Sequence, residues 1–286
     1  MIHAMVVSGQ LVAATQRLAP GSDTARLDAE VLMAHALGTT RGEMILRHMQ
    51  DAVPPHFDAL IERRMAHEPV AYITGHQEFW GLDFIVTPDV LIPRGDTETL
   101  IVVALERLRT RPPRRIIDLG TGSGALLLAA LHEWPAADGI GIERSPGALA
   151  IAQRNALALA PRAQIIAGDW TKPGWASDLG QFDLVLANPP YVETSAALDA
   201  SVMAHEPHCA LFAGAQGLDD YRVILPQLRN LLAPAGIALI EIGWTQSEAV
   251  MALGRAAGLN ATVYRDLAER PRVVELTVDN EPIQGI

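Results

Sequence analysis

Cysteine and unbroken apolar runs are both scarce in this sequence of 286 residues. Cys209 is the only cysteine, which excludes an internal disulfide and a cysteine-rich zinc site. No apolar stretch reaches the roughly 18 residues that a membrane-spanning helix needs, and no basic leader precedes an apolar block at the start. We therefore expect a cytoplasmic protein that is neither secreted nor inserted in a membrane.

Basic residues are also in the minority. The sequence has 22 Lys and Arg against 33 Asp and Glu, for a formal net charge of -11. Proteins that hold nucleic acid through its phosphates need a basic footprint, so we expect no direct sequence-specific binding of nucleic acid. Apolar residues make up 49% of the chain, enough to bury the cores of a catalytic domain and a smaller partner.

The first quarter of the chain has the spacing of helices. Apolar residues such as Leu27 and Val31 recur on one helical face, and Gly38 is placed to end that helix. This pattern predicts a small helical domain over residues 1–75.

A β-hairpin is predicted next, within a linker over residues 76–94. Glu78-Phe79-Trp80 is expected as one strand, Gly81-Leu82 as the turn, and Asp83 to Val86 as the returning strand.

Strands and helices alternate over residues 95–286, which is typical of a mostly parallel sheet with helices on both faces. We expect the last strand to be antiparallel. Helices are predicted from Ala125, from Pro146, over Leu218 to Leu232 and over Ser247 to Ala257. The predicted strands are Arg115 to Leu119, Gly139 to Glu143, Gln164 to Ala167, Phe182 to Ala187, Gly236 to Ile242, Ala261 to Tyr264 and Val273 to Val278.

A glycine cluster separates the first of these strands from its helix. Glycines there allow a sharp turn and close approach of a ligand to the backbone, and Glu143 at the end of the next strand can accept hydrogen bonds from both hydroxyls of a ribose. A nucleoside-type cofactor is indicated, although the cluster also satisfies a dinucleotide fingerprint. The predicted cofactor-binding residues of the cluster are Gly120, Thr121, Gly122, Ser123 and Gly124.

Asp169 and Trp170 follow the third strand at the same edge of the sheet. The carboxylate could accept a hydrogen bond from an exocyclic amine, and the indole could pack against adenine. We include both residues among the predicted cofactor contacts.

The segment Asn188-Pro189-Pro190-Tyr191 follows the fourth strand. An amide nitrogen is a poor nucleophile because its lone pair is delocalised into the carbonyl group. The Asn188 side-chain oxygen and the Pro189 carbonyl could each accept one N–H of such a group and stabilise the charge that it gains on methylation. Tyr191 could cover the planar group. A dehydrogenase has no use for these acceptors, so the segment predicts methyl transfer from S-adenosylmethionine.

The same acceptors fit any planar conjugated nitrogen. An exocyclic amine of a base in DNA or RNA therefore stays open as an alternative substrate. A protein that senses the cofactor without catalysis is a third interpretation.

These motifs together resemble the HemK/PrmC family of class I methyltransferases, which methylate a glutamine side chain in bacterial peptide chain release factors. Linker and loop segments carry the resemblance further, among them Glu68 to Gly75, Glu78 to Leu82, Leu91 to Arg94, Glu206-Pro207, Gly217 to Asp219 and Glu241 to Gly243. The resemblance implies a Rossmann-like, seven-stranded α/β methyltransferase domain behind a helical domain that docks the release factor.

Carried over residue by residue, the resemblance assigns the glycine cluster to the methionine part of S-adenosylmethionine, Glu143 to its ribose and Trp170 to its adenine side. Asn188, Pro189, Pro190 and Tyr191 would bind the glutamine, with Asn188 also near the cofactor. We expect Asn188, Pro189 and Tyr191 to be the catalytic residues.

Two weaker patterns are interpreted as structural. His205 and His208 could share a metal, but Pro207 breaks the helix between them, so no metal site is predicted. The arginine-rich segment 107–115 could contact RNA on a ribosome-bound substrate, but we expect a solvated helix end and linker.

Overall fold

The computed structural model describes residues 6–278, which form two compact units. The first unit contains the described residues up to His76 together with Leu198–Glu206, and the second contains Gln77–Ala197 and the chain from Pro207 onward. No helix within residues 6–278 is long and apolar enough to cross a membrane.

Helices and strands alternate over most of the chain after residue 95. The helices are α1 (Val7–Leu18), α2 (Ala25–Leu37), α3 (Arg41–Glu43), α4 (Phe57–Met65), α5 (Val70–Thr74), α6 (Glu98–Arg107), α7 (Ala125–Glu133), α8 (Pro146–Leu159), α9 (Ala200–His205), α10 (Asp219–Ile224), α11 (Leu228–Leu231) and α12 (Ser247–Ala256). The strands are β1 (His76–Phe79), β2 (Leu82–Ile85), β3 (Arg115–Leu119), β4 (Asp138–Glu143), β5 (Gln164–Ala167), β6 (Phe182–Ala187), β7 (Leu232–Glu241), β8 (Leu259–Arg265) and β9 (Pro271–Val278).

The first unit is built from helices around its own core. Leu32, Met33 and Phe57 are fully buried there. Helix α2 ends where the sequence predicts, because Gly38 adopts a left-handed conformation with φ 68° and caps the helix. The segment Leu198–Glu206, which carries α9, belongs to this unit although it lies far away in the sequence.

The β1–β2 hairpin packs into the core of the second unit. Phe79 and Phe84 are buried there in an edge-to-face contact with ring centroids 6.3 Å apart. The predicted turn at Gly81-Leu82 is wrong by one residue. Trp80 and Gly81 both have positive φ, at 56° and 73°, and so form the turn.

The seven-stranded sheet of the second unit has the order β5-β4-β3-β6-β7-β9-β8. Strands β3 to β7 pair in parallel, and β9 is antiparallel to both of its neighbours. The predicted α/β fold with an antiparallel last strand is therefore confirmed. The last strand lies inside the sheet, between β7 and β8.

The two faces of the sheet bury alternate residues of each strand. Ile116 of β3 and Leu184 of β6 face the core that includes α6 and α7, whereas Ile117 and Val185 face the core that includes α10 and α12. A sheet covered on both faces explains why its central strands are nearly continuous apolar runs.

The helix predicted over Leu218 to Leu232 is divided in the structure. It consists of α10, a short 3-10 turn at Leu225–Gln227 and α11. Pro226 lies in that turn, and proline lacks the N–H that a continuous α-helix would need at that point.

The arginine-rich segment 107–115 makes side-chain contacts with strands of the sheet. Arg107 binds Glu275 with two hydrogen bonds of 2.7 and 2.9 Å, and the Arg115 guanidinium lies 4.5 Å from the centre of the Phe182 ring. The α6 helix does end at Arg107, and Arg107, Arg109, Arg111 and Arg114 are exposed, while Arg107 and Arg115 also contact residues of the sheet.

Candidate active site

The glycine cluster forms a tight turn at the carboxyl end of β3. Gly120, Gly122 and Gly124 all have positive φ, at 72°, 58° and 88°. Gly120 also needs the absence of a side chain, since a Cβ there would lie 2.8 Å from the Trp170 ring. The turn thus depends on glycine for its conformation and for its packing.

Glu143 connects the end of β4 to this turn. It is buried, and its two oxygens accept hydrogen bonds from the Gly122 N–H at 3.0 Å and the Ser145 N–H at 2.8 Å. Each carboxylate oxygen has a further lone pair, so the group can still accept from ribose hydroxyls.

Asp118, the last residue but one of β3, is a site residue that sequence reasoning missed. Its side chain is buried, and Oδ2 accepts from the Thr121 hydroxyl at 2.6 Å. Oδ1 has no hydrogen-bond partner among the described residues. Burial, which the nearby Glu143 carboxylate reinforces, raises the pKa of Asp118 to about 7 despite the Thr121 hydrogen bond. An acidic residue two positions before the glycine cluster was the available signal.

These residues surround a cleft that is partly open to solvent. The cleft lies within the second unit, at the carboxyl ends of the parallel strands, where open α/β sheets bind ligands. The predicted site residues that line it are Gly120, Thr121, Gly122, Ser123, Glu143, Trp170, Asn188 and Pro190. Gly124, Asp169, Pro189 and Tyr191 are outside the lining.

Local hydrogen bonds compete with the predicted role of Asp169 in binding the cofactor. Its Oδ1 accepts from the Thr171 N–H at 2.9 Å and from the Thr171 hydroxyl at 2.7 Å. These hydrogen bonds lower the pKa of Asp169. Trp170 behaves differently: it is buried, lines the cleft, and donates its indole N–H to Asp220 at 3.0 Å.

The segment Asp89 to Arg94, which the sequence assigned to the linker, also lines the cleft. Asp89 packs against the start of α8, since a Cβ on Gly147 would lie 2.6 Å from its carboxylate. The chain between the hairpin and α6 therefore forms a wall of the site.

Asn188 lies at the edge of the cleft, directly after β6. Its Nδ2 donates a 3.4 Å hydrogen bond to the Thr97 hydroxyl, near the start of α6. Pro190 lines the cleft beside it, whereas Pro189 is buried outside the lining.

Tyr191, at the other end of this segment, is held by two hydrogen bonds. Its hydroxyl donates to the buried Glu241 carboxyl at 3.3 Å, and its carbonyl accepts from Gln246 Nε2 at 3.0 Å. Gly217 passes so close that a Cβ there would lie 2.1 Å from the Tyr191 carbonyl oxygen. We call residues Asn188 to Tyr191 the acceptor loop. The segments that contain Gly217, Glu241 and Gly243, which the sequence marked only by resemblance, contact this loop at Tyr191.

No group of three or more His, Cys, Asp or Glu side chains suited to a metal ion occurs within residues 6–278.

Comparison with known proteins defines the family. Residues 10–75 match the PrmC N-terminal domain and residues 96–207 match the methyltransferase small domain. The release factor glutamine methyltransferase of Moorella thermoacetica is 43% identical over 278 residues, which cover 94% of this chain and 97% of that protein. The enzyme of that name from Caulobacter vibrioides is 41% identical over 262 residues, 89% of this chain and 90% of that protein.

The chain belongs to the release factor glutamine methyltransferase family. Its fold is also that of the hMettl16 catalytic domain, solved in complex with MAT2A 3′UTR hairpin 6, with a TM-score of 0.55, 14% identity, and coverage of 78% of this chain and 83% of that chain. The protein is therefore an S-adenosylmethionine-dependent methyltransferase with the class I fold.

The cleft fits S-adenosylmethionine in its chemistry. The glycine turn leaves space for the ligand, and Glu143 can accept from hydroxyl groups. The unpartnered Oδ1 of Asp118 is an acceptor for an ammonium group in a buried position. A cation there would compensate the cost of burying the carboxylate.

Proposed function

We propose that this chain transfers a methyl group from S-adenosylmethionine to the side-chain amide nitrogen, N5, of a glutamine in bacterial class I peptide chain release factors. The observation that carries the proposal is the position of Asn188, which stands at the edge of the cleft with its Nδ2 directed to Thr97. Relatives of the same name that are over 40% identical along nearly the whole chain favour a glutamine amide over a base in DNA or RNA.

The chain's own residues would do the following. Asn188 Oδ1 and the Pro189 carbonyl accept the two N–H groups of the substrate amide and orient its nitrogen toward the cleft. Tyr191, held by Glu241 and Gln246, covers the amide plane and excludes water. As charge develops on the nitrogen, both acceptors bind its hydrogens more strongly, which stabilises the transition state.

S-adenosylmethionine would supply an electrophilic methyl group on a sulfonium centre, in the part of the cleft between the glycine turn and Asn188. The substrate nitrogen would take the methyl group as the carbon–sulfur bond breaks, the sulfur would leave as a neutral thioether, and the nitrogen would then release one proton. Proton loss after transfer requires no general base beside Asn188.

We further propose that the first unit docks the release factor, on the strength of its match to the PrmC N-terminal domain. Exposed apolar side chains occur on this unit, with Leu46 83% exposed and Val12 60% exposed. Leu46 lies in the π-helical turn Met44–His48. Side chains of this kind are suited to a protein interface.

Transfer of a labelled methyl group to purified release factor tests the function. Asn188→Ala removes one oriented acceptor, so kcat should fall by about 100-fold to 1000-fold while affinity for S-adenosylmethionine changes only a few-fold. Asn230→Ala, at an exposed asparagine outside the cleft lining, is the matched control and should leave both quantities unchanged.

Folded, cofactor-binding protein that leaves the release factor unlabelled would contradict the proposal. Labelling of DNA or RNA in place of the release factor would contradict the choice of substrate.

A further inference from the structure

A row of four side chains connects the two ends of the Asn188 to Tyr191 segment, and two of them, Asn188 and Thr97, line the cleft. Asn188 Nδ2 donates to the Thr97 hydroxyl at 3.4 Å, the Thr97 side chain lies within reach of the Glu241 carboxyl, and Tyr191 donates to the same carboxyl at 3.3 Å. Thr97 is 5% exposed and Glu241 is 2% exposed. The row therefore joins the first and last residues of the Asn188 to Tyr191 segment through buried groups.

The hydrogen bonds in this row have a defined direction. A hydroxyl group has a single proton, so Thr97 can accept from Asn188 while it donates to Glu241. In its ionised form Glu241 can only accept, which makes it the common acceptor for Thr97 and Tyr191. With its Nδ2 committed to Thr97, the Asn188 amide has its Oδ1 left to face the cleft.

The reverse orientation of Asn188 would be unproductive. The amide nitrogen has only donors, and a substrate amide also presents N–H donors, so an inverted Asn188 would oppose donor to donor. A side-chain amide has nearly the same shape in both orientations, and only its hydrogen-bond partners distinguish them. With its one proton directed to Glu241, the Thr97 hydroxyl can only accept from Asn188, and this selects the orientation with Nδ2 toward Thr97.

Burying the Glu241 carboxyl group lowers the stability of the fold, which argues that the residue has a function. Its Oε2 has no hydrogen-bond partner among the described residues. Burial raises the pKa of Glu241 to about 7, against the opposing effects of Thr97, Arg272 and Tyr191 and with a contribution from Asp96. Arg272 itself is occupied by ion pairs with Asp96 at 2.8 Å and Asp266 at 3.4 Å. An apolar side chain at position 241 would avoid this cost.

We propose that Thr97 and Glu241 are positioning residues that determine which end of the Asn188 amide faces the cleft. The inference rests on the proposed function of Asn188 as the acceptor for the substrate amide. Neither residue touches the transferred methyl group in this account. Their effect reaches the reaction through Asn188 and Tyr191.

Two substitutions at Thr97 separate positioning from packing. Thr97→Val keeps the shape and removes the hydroxyl, whereas Thr97→Ser keeps the hydroxyl and removes a methyl group. We expect Thr97→Val to lower kcat by roughly tenfold to a hundredfold, with KM for S-adenosylmethionine nearly unchanged. Thr97→Ser should retain most of the activity. An active Thr97→Val variant, or an equal loss in Thr97→Ser, would overturn the proposal.

A double-mutant cycle tests the part assigned to Glu241. Glu241→Met removes the acceptor with little change in volume, and we expect a loss in kcat similar to that of Thr97→Val. The double variant should lose little more than either single variant, because both interrupt the same row. Fully additive losses would contradict the coupling. Melting temperatures and cofactor affinity identify variants that fail to fold.

A measurement that does not depend on catalysis tests this inference separately from the proposed function. The ¹⁵N signal of the Asn188 side-chain amide, assigned by its loss in Asn188→Ala, reports the Nδ2 hydrogen bond directly. It should be the same in wild type and Thr97→Ser and should shift in Thr97→Val. An unshifted signal in Thr97→Val refutes the inference even if release factors are methylated. A shifted signal supports it even if they are not.

Discussion

The Asp118 carboxyl group combines deep burial with an incomplete set of hydrogen bonds. One oxygen accepts from Thr121 and the other has no partner among the described residues. Its pKa of about 7 means that the folded chain resists the charged form. Such a group lowers stability, and its position in the cleft lining indicates that a bound cation compensates for it.

Asp118→Asn should therefore stabilise the ligand-free protein at alkaline pH. The pKa in the folded state lies above the unfolded value, so the wild-type chain loses stability as pH rises from about 4 to about 7, and the neutral Asn side chain does not. The advantage of the variant in free energy of unfolding should grow by roughly 2 kcal/mol between about pH 5 and about pH 8.

Denaturant unfolding of both proteins across that pH range measures the difference. The same substitution should weaken S-adenosylmethionine binding by about tenfold or more, since the ammonium group loses a charged partner. A pH-independent difference in stability would show that Asp118 is not the titrating group, and unchanged binding would remove its assignment to the ligand.

The positions of single residues were predictable from the sequence where they follow the end of a strand. Glu143, Trp170 and Asn188 line the cleft as position alone suggests. Asp169 was less predictable, because a hydrogen-bonded turn with Thr171 competes locally for its carboxylate. The contact of Glu241 with Tyr191 joins residues 50 positions apart, which no local pattern reveals.

At the scale of elements, the turn between β3 and α7 positions the cofactor side of the cleft. Gly120 and Gly81 offer a matched comparison, because their φ values are 72° and 73° and both lie in the second unit. A Cβ on Gly120 would meet Trp170 at 2.8 Å, whereas a Cβ on Gly81 would meet nothing within 4 Å.

Both alanine variants should lose about 1–2 kcal/mol of stability from the left-handed backbone conformation. Gly120→Ala should lose more, because Trp170 must also move, and its affinity for S-adenosylmethionine should fall. Gly81→Ala should keep wild-type affinity. Calorimetric binding and thermal unfolding of the two variants measure these effects. Equal affinities in both would refute the role of the Gly120 and Trp170 contact in shaping the cleft.

The elements themselves followed closely from periodicity. Strands β3, β5 and β6 have the predicted bounds because short apolar runs between turn residues define them. The hairpin turn shifted by one residue because Trp80 accepts a positive φ, which is unusual for a bulky side chain. The break at Pro226 could have been predicted from the residue type.

At the scale of the molecule, the sequence predicted the fold of the catalytic unit but not the full composition of the helical one. The alternation of strands and helices leaves few possible topologies, and the observed sheet order is one of them. The inclusion of Leu198–Glu206 in the first unit depends on tertiary contacts, such as His205 Nε2 with the Ala66 carbonyl at 3.3 Å, across 139 positions.

Family membership and cleft geometry both support one claim, that the group which receives the methyl is a glutamine side chain. The net charge of -11 argues against a nucleic-acid substrate in the same direction, since a phosphate backbone would be repelled. The atom that receives the methyl group therefore distinguishes a glutamine substrate from a base in DNA or RNA.

Peptide mass spectrometry of release factors, from cells with and without this protein and from reactions with the purified enzyme, tests that claim most directly. The account predicts a single added methyl group on the side-chain nitrogen of one glutamine, present with the wild-type protein and lost both in its absence and with Asn188→Ala. A methyl group on another atom of the release factor, or the same modified glutamine in cells that lack the protein, would contradict it.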